Sequence, residues 1–205
     1  MPKETFFRLP AEKREAILLA IRQELRRVSF DQLSVNRIIR EAGIPRGSFY
    51  QYFEDREDLL VYVLEQIEAL IREKLLRSLR ESGGDIFRVF SDSFRHMLAI
   101  LDQPEQATIF RNFLADFRPC SNRPGVLFGS RIAQSTLDVV RQSVNTAPLQ
   151  LQQEEDLTRM LEILQAVTLT AVADAFLHPE EADRIAAGFE QKLRLLREGF
   201  CRPTT

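Results

Sequence analysis

The sequence predicts an all-α protein of about nine helices, and three observations carry that reading. Apolar residues recur three or four apart through nearly every segment. Glycine and proline punctuate the chain at intervals of helical length. No run alternates apolar and polar residues with the period of two that a half-buried strand requires. With 205 residues, 44% hydrophobic and 28% charged, the chain has the composition of an ordinary folded protein with enough material for two modest modules.

Ile17, Ala20, Ile21, Leu25 and Val28 predict a first helix over about 11–28, with Pro10 in its first turn. The stretch SFDQLS breaks that pattern, and Ser34 suits the N-cap of a second helix carrying Val35, Ile38, Ile39 and Ala42 on one face. Gly43 closes it, because glycine takes the left-handed conformation without a Cβ penalty. Ile44 is then free to turn into the core, and Pro45 opens a short third helix over RGSFYQYF. Asp55, with Asp58 three residues on, starts a long fourth helix that Gly83 and Gly84 stop. Periodicity predicts five more, at about 85–102, 105–117, 124–145, 152–177 and 179–199, divided by turn signals such as RPCSNRP and His178–Pro179.

Charge divides these helices into two modules. Residues 1–56 carry 11 Lys and Arg against 8 Asp and Glu, a balance of +3, whereas residues 57–205 carry 17 against 22, a balance of −5. A basic amino-terminal module, 1–56, on an acidic remainder, 57–205, points to an anionic partner for the first alone. Other classes find no support. Cys120 and Cys201 are the only cysteines and no CxxC occurs, so neither a disulfide framework nor a metal site is expected. His96 and His178 stand on separate segments without a nucleophile pattern or HExxH, which leaves no catalytic residues, no metal and no cofactor to expect. Charges interrupt the amino terminus, and no apolar run of membrane-spanning length is evident, so a cytoplasmic chain with no membrane partner is expected.

The densest chemistry lies in SVNRIIREAGIPRGSFYQYFEDREDLL. A helix, a short turn with glycine and a second short helix make a helix-turn-helix, whose last helix enters the major groove of DNA. Phe49 and Phe53 stand four apart on that helix and pack inward against Ile17, Ile21, Ile38 and Ile39. Arg46, Ser48, Tyr50 and Tyr52 are left on the other faces, and Gly47 lets the backbone approach a phosphate strand. Tyrosine offers flat area and a hydroxyl to a groove wall, and the amide of Gln51 matches an adenine edge. Ser34 and Arg56, opening their helices, suit phosphates on either side.

The same stretch resembles the TetR family of bacterial transcriptional regulators. The likeness is carried by the N-capping serine, the small-residue turn, a GxFYxYF-like recognition helix in Gly47–Phe53 and the basic residue opening the next helix. It covers roughly residues 13–60. It implies that Ser34, Arg46, Ser48, Tyr50, Tyr52 and Arg56 stand where the family contacts DNA, mostly at phosphates. Two departures are visible: Ser29 replaces the usual turn glycine, and Glu24 stands where leucine is frequent.

In the second module Phe90, Phe94, Met97, Phe110, Phe113, Phe117 and Phe128 form an aromatic-rich set, most of it plain core and some of it a candidate lining for a small apolar or aromatic effector. Arg95, Arg111 and His96 are candidate polar anchors. The resemblance implies an inducer of this kind without identifying it. Leu157, Leu161, Leu164, Thr168, Ala171 and Ala175, followed by Phe189, Leu193 and Leu196, make two apolar stripes that suit a four-helix homodimer seam. The expectation is therefore a ligand-responsive homodimeric repressor, released from a palindromic double-stranded DNA operator, and not an enzyme. A constitutive DNA-binding protein without a ligand is the alternative.

Overall fold

The structure is a computed structural model describing residues 2–29, 32–116, 138, 140–153 and 155–202. Nine α-helices lie in these residues: α1 (Glu4–Phe7), α2 (Ala11–Arg27), α3 (Val35–Glu41), α4 (Arg46–Tyr52), α5 (Arg56–Glu81), α6 (Ile86–Leu98), α7 (Pro104–Asp116), α8 (Asp156–Leu177) and α9 (Ala182–Phe200). A 3-10 turn, Pro179–Glu181, precedes the last. Among the described residues there is no strand, only an isolated antiparallel bridge between Leu149 and Cys201. The all-α expectation therefore holds. Most of the helix expected at 124–145 lies outside the described residues.

The chain divides into two compact units, Met1–Glu68 with Glu105–Ile132, and Ala69–Pro104 with Ala133–Thr205. The first is built on a core in which Phe6, Ile17, Ile21, Ile38, Phe49 and Phe53 are almost fully buried, with Ile44 and Ile109 packed at its margin. Helix ends here follow from local chemistry. At the end of α3 the Ile44 N–H donates to the Ile39 carbonyl (3.1 Å) and the Gly43 N–H to that of Arg40 (3.3 Å), a double closure that places Gly43 at φ 63°. The same arrangement ends α5, where Gly84 and Gly83 donate to Leu79 and Arg80. At the start of α5 the Asp58 N–H donates to Asp55 (2.7 Å), as the spacing predicts, while the Asp58 carboxylate accepts the N–H of Glu54 (3.1 Å), one residue before the N-cap.

Three local features differ from expectation. Pro10 and Pro45 sit one residue outside their helices, at the N-cap, Pro45 in an extended conformation. Ser34 occupies the N-cap of α3, but its side chain makes no capping hydrogen bond. Helix α1 was not expected at all, since four residues are too few to show a period, and it is held by the burial of Phe6.

In the second unit α6, α8 and α9 pack on one another. Asp85 caps α6 by accepting the N–H groups of Phe87 (3.0 Å) and Arg88 (3.2 Å), and Arg197 of α9 holds the same carboxylate at 2.7 and 2.8 Å. Phe94 stacks on Phe189 with centroids 4.2 Å apart. Helix α8 begins at Asp156 and not near 152, because the Asp156 carboxylate accepts the N–H groups of Gln152 and Gln153 (2.8 Å each) and winds those residues into a capping turn.

Helix α8 is long and apolar enough to cross a membrane by length and composition alone, although Asp156, Arg159, Glu162 and Asp174 leave it without the uninterrupted apolar run sought in the sequence. Its mean hydropathy reaches 1.6 over an 18-residue window. One face is that of a core helix, with Leu157, Leu161, Leu164, Thr168, Ala171 and Ala175 buried. Phe189 and Leu193 of α9 are buried too, and Leu196 is partly so. The two stripes expected to form a dimer seam are thus covered within the unit itself, because packing against α6 already requires them. The large apolar side chains left exposed on these helices are Ile163, Leu169 and Leu177 of α8 and Leu195 of α9.

Candidate nucleic-acid interface

Helix α4 has two unlike faces, and the core decides which is which. Phe49 and Phe53 pack together with centroids 5.3 Å apart and are 1% and 0% exposed. Their burial turns Arg46, Gly47, Tyr50 and Gln51 outward, with Tyr50 52% exposed although it is a large aromatic residue. Its ring meets Phe49 edge-on at 5.4 Å, which steadies the phenol without hiding it. Ser48 and Tyr52 lie between the faces, partly buried, and Tyr52 leans on Phe6 at 6.3 Å. Pro45 is exposed at the N-cap, where its carbonyl accepts the Ser48 N–H (2.9 Å).

Gly47 is informative because nothing in the protein calls for glycine there. Its φ is not positive, and a Cβ built on it would meet nothing within 4 Å. The protein's own packing and backbone thus leave that position open to a larger residue, unlike Gly43 and Gly84.

The elements flanking α4 present Ser34 and Arg56. Ser34 is partly buried at the start of α3, and Arg56 is the first residue of α5, with its guanidinium 3.6 Å from the neighbouring Glu57. Arg40, near the end of α3, is exposed. Exposed Arg40, Arg46, Tyr50 and Gln51 and partly exposed Ser34 and Arg56 are thus side chains of the kinds that recognition of a phosphate backbone uses, carried on the successive helices of a helix-turn-helix.

Glu24 holds a place at the junction of α2 and α3 that the sequence expectation does not include. This carboxylate is only 1% exposed, on the apolar face of α2 between Ala20, Ile21 and Leu25. It accepts the Ser34 N–H (3.2 Å) and lies 3.6 Å from Arg37 and 3.8 Å from Arg27. A charge among buried residues needs such partners, and here they fix the entry of α3 against α2. The signal was available, since an acid interrupts an apolar face and an arginine follows three residues later.

The candidate effector residues are distributed between the units. Phe90 and Phe94 are buried in the second unit and Met97 is partly buried there, whereas Phe110 belongs to α7 of the first. Phe113 is also on α7, and Phe117 and Phe128 lie outside the described residues. Of the polar candidates, Arg111 reaches the Ala107 carbonyl (3.4 Å), and Arg95 is engaged with Ser91 (2.9 Å) and Asp92 (3.1 Å). His96 contacts the Lys74 ammonium through Nε2, and its pKa is lowered first by burial and then by that neighbouring charge. Among the described residues no group of three or more His, Cys, Asp or Glu side chains could hold a metal ion.

Comparison with known proteins agrees with this geometry. Residues 17–63 match the sequence model for bacterial regulatory proteins of the tetR family, and residues 85–200 match that for a tetracyclin repressor-like C-terminal domain. An uncharacterized HTH-type transcriptional regulator of Haemophilus influenzae is 35% identical over 69 residues, and the match spans about a third of each chain, 32% of this one and 33% of that one. The crystal structure of FadR from Bacillus subtilis in complex with stearoyl-CoA superposes with a TM-score of 0.65 at 16% identity, covering 90% of this chain and 98% of that one. NalD, the secondary repressor of the MexAB-OprM multidrug efflux pump in Pseudomonas aeruginosa, gives 0.65 at 21% identity, covering 94% and 97%. These two likenesses are of fold, while the two sequence models together account for most of the chain: it belongs to the TetR family of transcriptional regulators.

Proposed function

We propose that the chain is a homodimeric repressor that reads a palindromic operator with α4 and is released from it by a small apolar or aromatic molecule. The observation that carries the DNA assignment is the division of α4, with Phe49 and Phe53 buried and Arg46, Gly47, Tyr50 and Gln51 exposed. The proposed contacts are Arg46, Ser48, Tyr50 and Tyr52 with Pro45 and Gly47 at the helix start, Gln51 toward a base edge, and Ser34 and Arg56 on flanking phosphates.

Support for a dimer comes from α8. It is apolar enough for a membrane span, yet only 44% of its most apolar window is buried. A helix hydrophobic around most of its circumference is normally covered on all sides, so Ile163, Leu169 and Leu177, with Leu195 of α9, call for a second copy. This replaces the buried Leu157–Ala175 stripe as the proposed seam. The effector is supported by the aromatic residues Phe90 and Phe94, with Met97, in the second unit and by the acyl ligand of the FadR structure, which is a bulky apolar group of the kind such residues would take. Helix α5 opens with Arg56 in one unit and ends in the other, so it is the continuous element through which occupancy would reach the DNA face.

Selection of bound sequences from a random duplex library with the purified full chain tests the reading. The expected product is a palindrome whose half-site centres lie about 34–36 Å apart or a multiple of that. Enrichment of no sequence, or of an asymmetric one bound by a single chain, would overturn it.

A further inference from the structure

We propose that the amino-terminal segment Lys3–Phe7 is a clasp that positions the recognition helix, fixing its last turn for DNA without contacting DNA. The proposal rests on the assignment of α4 as the DNA-reading helix.

A seven-residue helix is too short to hold its own shape in water, and its last four carbonyls lack partners within it. Here each of those four has a donor. The Phe49 carbonyl accepts the Phe53 N–H (2.9 Å). The Tyr50 carbonyl accepts from the Lys3 ammonium (2.9 Å), the Gln51 carbonyl from the Thr5 hydroxyl, and the Tyr52 carbonyl from the Lys3 N–H (2.8 Å). Three of the four donors thus come from two residues at the opposite end of the sequence segment that forms this unit. The Lys3 cation also stands at the negative end of the helix dipole.

Phe6 anchors the clasp. It is completely buried, with centroids 5.1 Å from Phe53, 5.3 Å from Tyr62 and 6.3 Å from Tyr52. The Phe7 carbonyl accepts from Arg14 (3.2 Å), which ties the segment to α2. The residues whose carbonyls are held, Tyr50, Gln51 and Tyr52, are the ones whose side chains are assigned to the reading face. Removing a donor lets the last turn fray, and DNA then binds only the fraction of molecules in which it is formed, so apparent affinity falls by that fraction.

The test uses the full chain and a duplex carrying the selected palindrome, with affinity measured across a range of salt. Thr5→Val removes the hydroxyl at nearly constant shape, and Lys3→Met removes the ammonium; Thr5→Ser and Lys3→Arg restore a donor. Thr5→Val and Lys3→Met should each bind about three to ten times more weakly, the range of one hydrogen bond. Their salt slope should equal that of the wild type, and the restoring variants should recover most of the affinity. Both residues are exposed, so the far-ultraviolet circular dichroism should not change. Wild-type affinity in Thr5→Val and Lys3→Met overturns the clasp. So does a fall of about 1 in the salt slope of Lys3→Met, the mark of a direct phosphate contact, and so does global unfolding of either variant, the mark of a purely structural role. Arg46→Ala and Tyr50→Ala are measured alongside: if they bind normally, the assignment of α4 fails and the clasp with it, whereas if they weaken binding and Thr5→Val does not, the clasp alone fails.

Discussion

Phe53→Ala and Tyr50→Ala, three residues apart at the end of one short helix, should have opposite consequences. Phe53 is 0% exposed, with the rings of Phe6 at 5.1 Å and Phe49 at 5.3 Å. Truncating a buried phenylalanine removes its transfer free energy and leaves a cavity that neighbours fill only partly, at a cost of about 3–5 kcal/mol. For a chain of this size each kcal/mol lowers Tm by about 2–4 °C, so a fall on the order of 6–20 °C is expected. Tyr50 is half exposed and its ring meets Phe49 edge-on. Even a fully shielded aromatic pair contributes only about 0.5–1.5 kcal/mol, and solvent access reduces that, so its truncation should lower Tm by no more than about 4 °C. Operator affinity should behave the other way, falling for folded Tyr50→Ala at a temperature where the wild type is stable. Thermal melts followed by circular dichroism and operator titration by fluorescence anisotropy measure both. A Tyr50→Ala protein that loses stability as Phe53→Ala does, or that keeps its operator affinity, would refute the division of α4 into a core face and a reading face.

Arg46→Ala should weaken operator binding and reduce its salt slope by about 1, as loss of one phosphate contact does; an unchanged slope would remove Arg46 from the phosphates. Leu169→Lys should convert the dimer to monomers without unfolding it, because Leu169 is 56% exposed within the protomer, whereas Ala171→Lys should unfold the unit, because Ala171 is 3% exposed; light scattering and melting separate the two outcomes. His96 is exposed, and its protonation in the folded state is opposed by partial desolvation and by the Lys74 ammonium at its Nε2, so its folded pKa lies below the unfolded one. The stability it contributes is present above the unfolded value of about 6.5 and is lost as pH falls through the lower folded value. The Tm of His96→Gln should therefore fall less than that of the wild type on acidification through this range, and parallel curves would exclude the contact.

Much of this fold was legible because its signals are local. The glycines that close α3 and α5, the Asp55–Asp58 cap and the four-residue spacing of Phe49 and Phe53 all act within one or two turns of chain, so spacing alone located them. What escaped depends on residues far apart. Lys3 reaches Tyr50 across 47 positions, and a four-residue helix has no period from which to read that contact. The apolar stripe at Leu157–Ala175 was visible, but an inward face and an outward one have the same periodicity. Only the packing of α6 and α9 on α8 shows which side is already covered.

Glu24 shows how one such long-range contact serves the site. Leucine at this place would pack against α3 by area alone and would specify little about where that helix begins. The carboxylate instead receives the N–H of Ser34, the N-cap residue whose own side chain makes no cap, and draws in Arg37 one turn later. Desolvating the acid has a cost, and two arginines at 3.6 and 3.8 Å offset part of it. The return is orientation, because a hydrogen bond fixes both the distance and the direction of the chain entering α3. Removing one partner of such a group leaves the other unsatisfied. Glu24→Ala should therefore destabilise by more than its lost contact area implies, while Glu24→Gln, which can still accept the Ser34 N–H, should retain the fold and lose only the attraction of the arginines. Equal melting temperatures for the two variants would show that the carboxylate fills space at this junction and does not direct it.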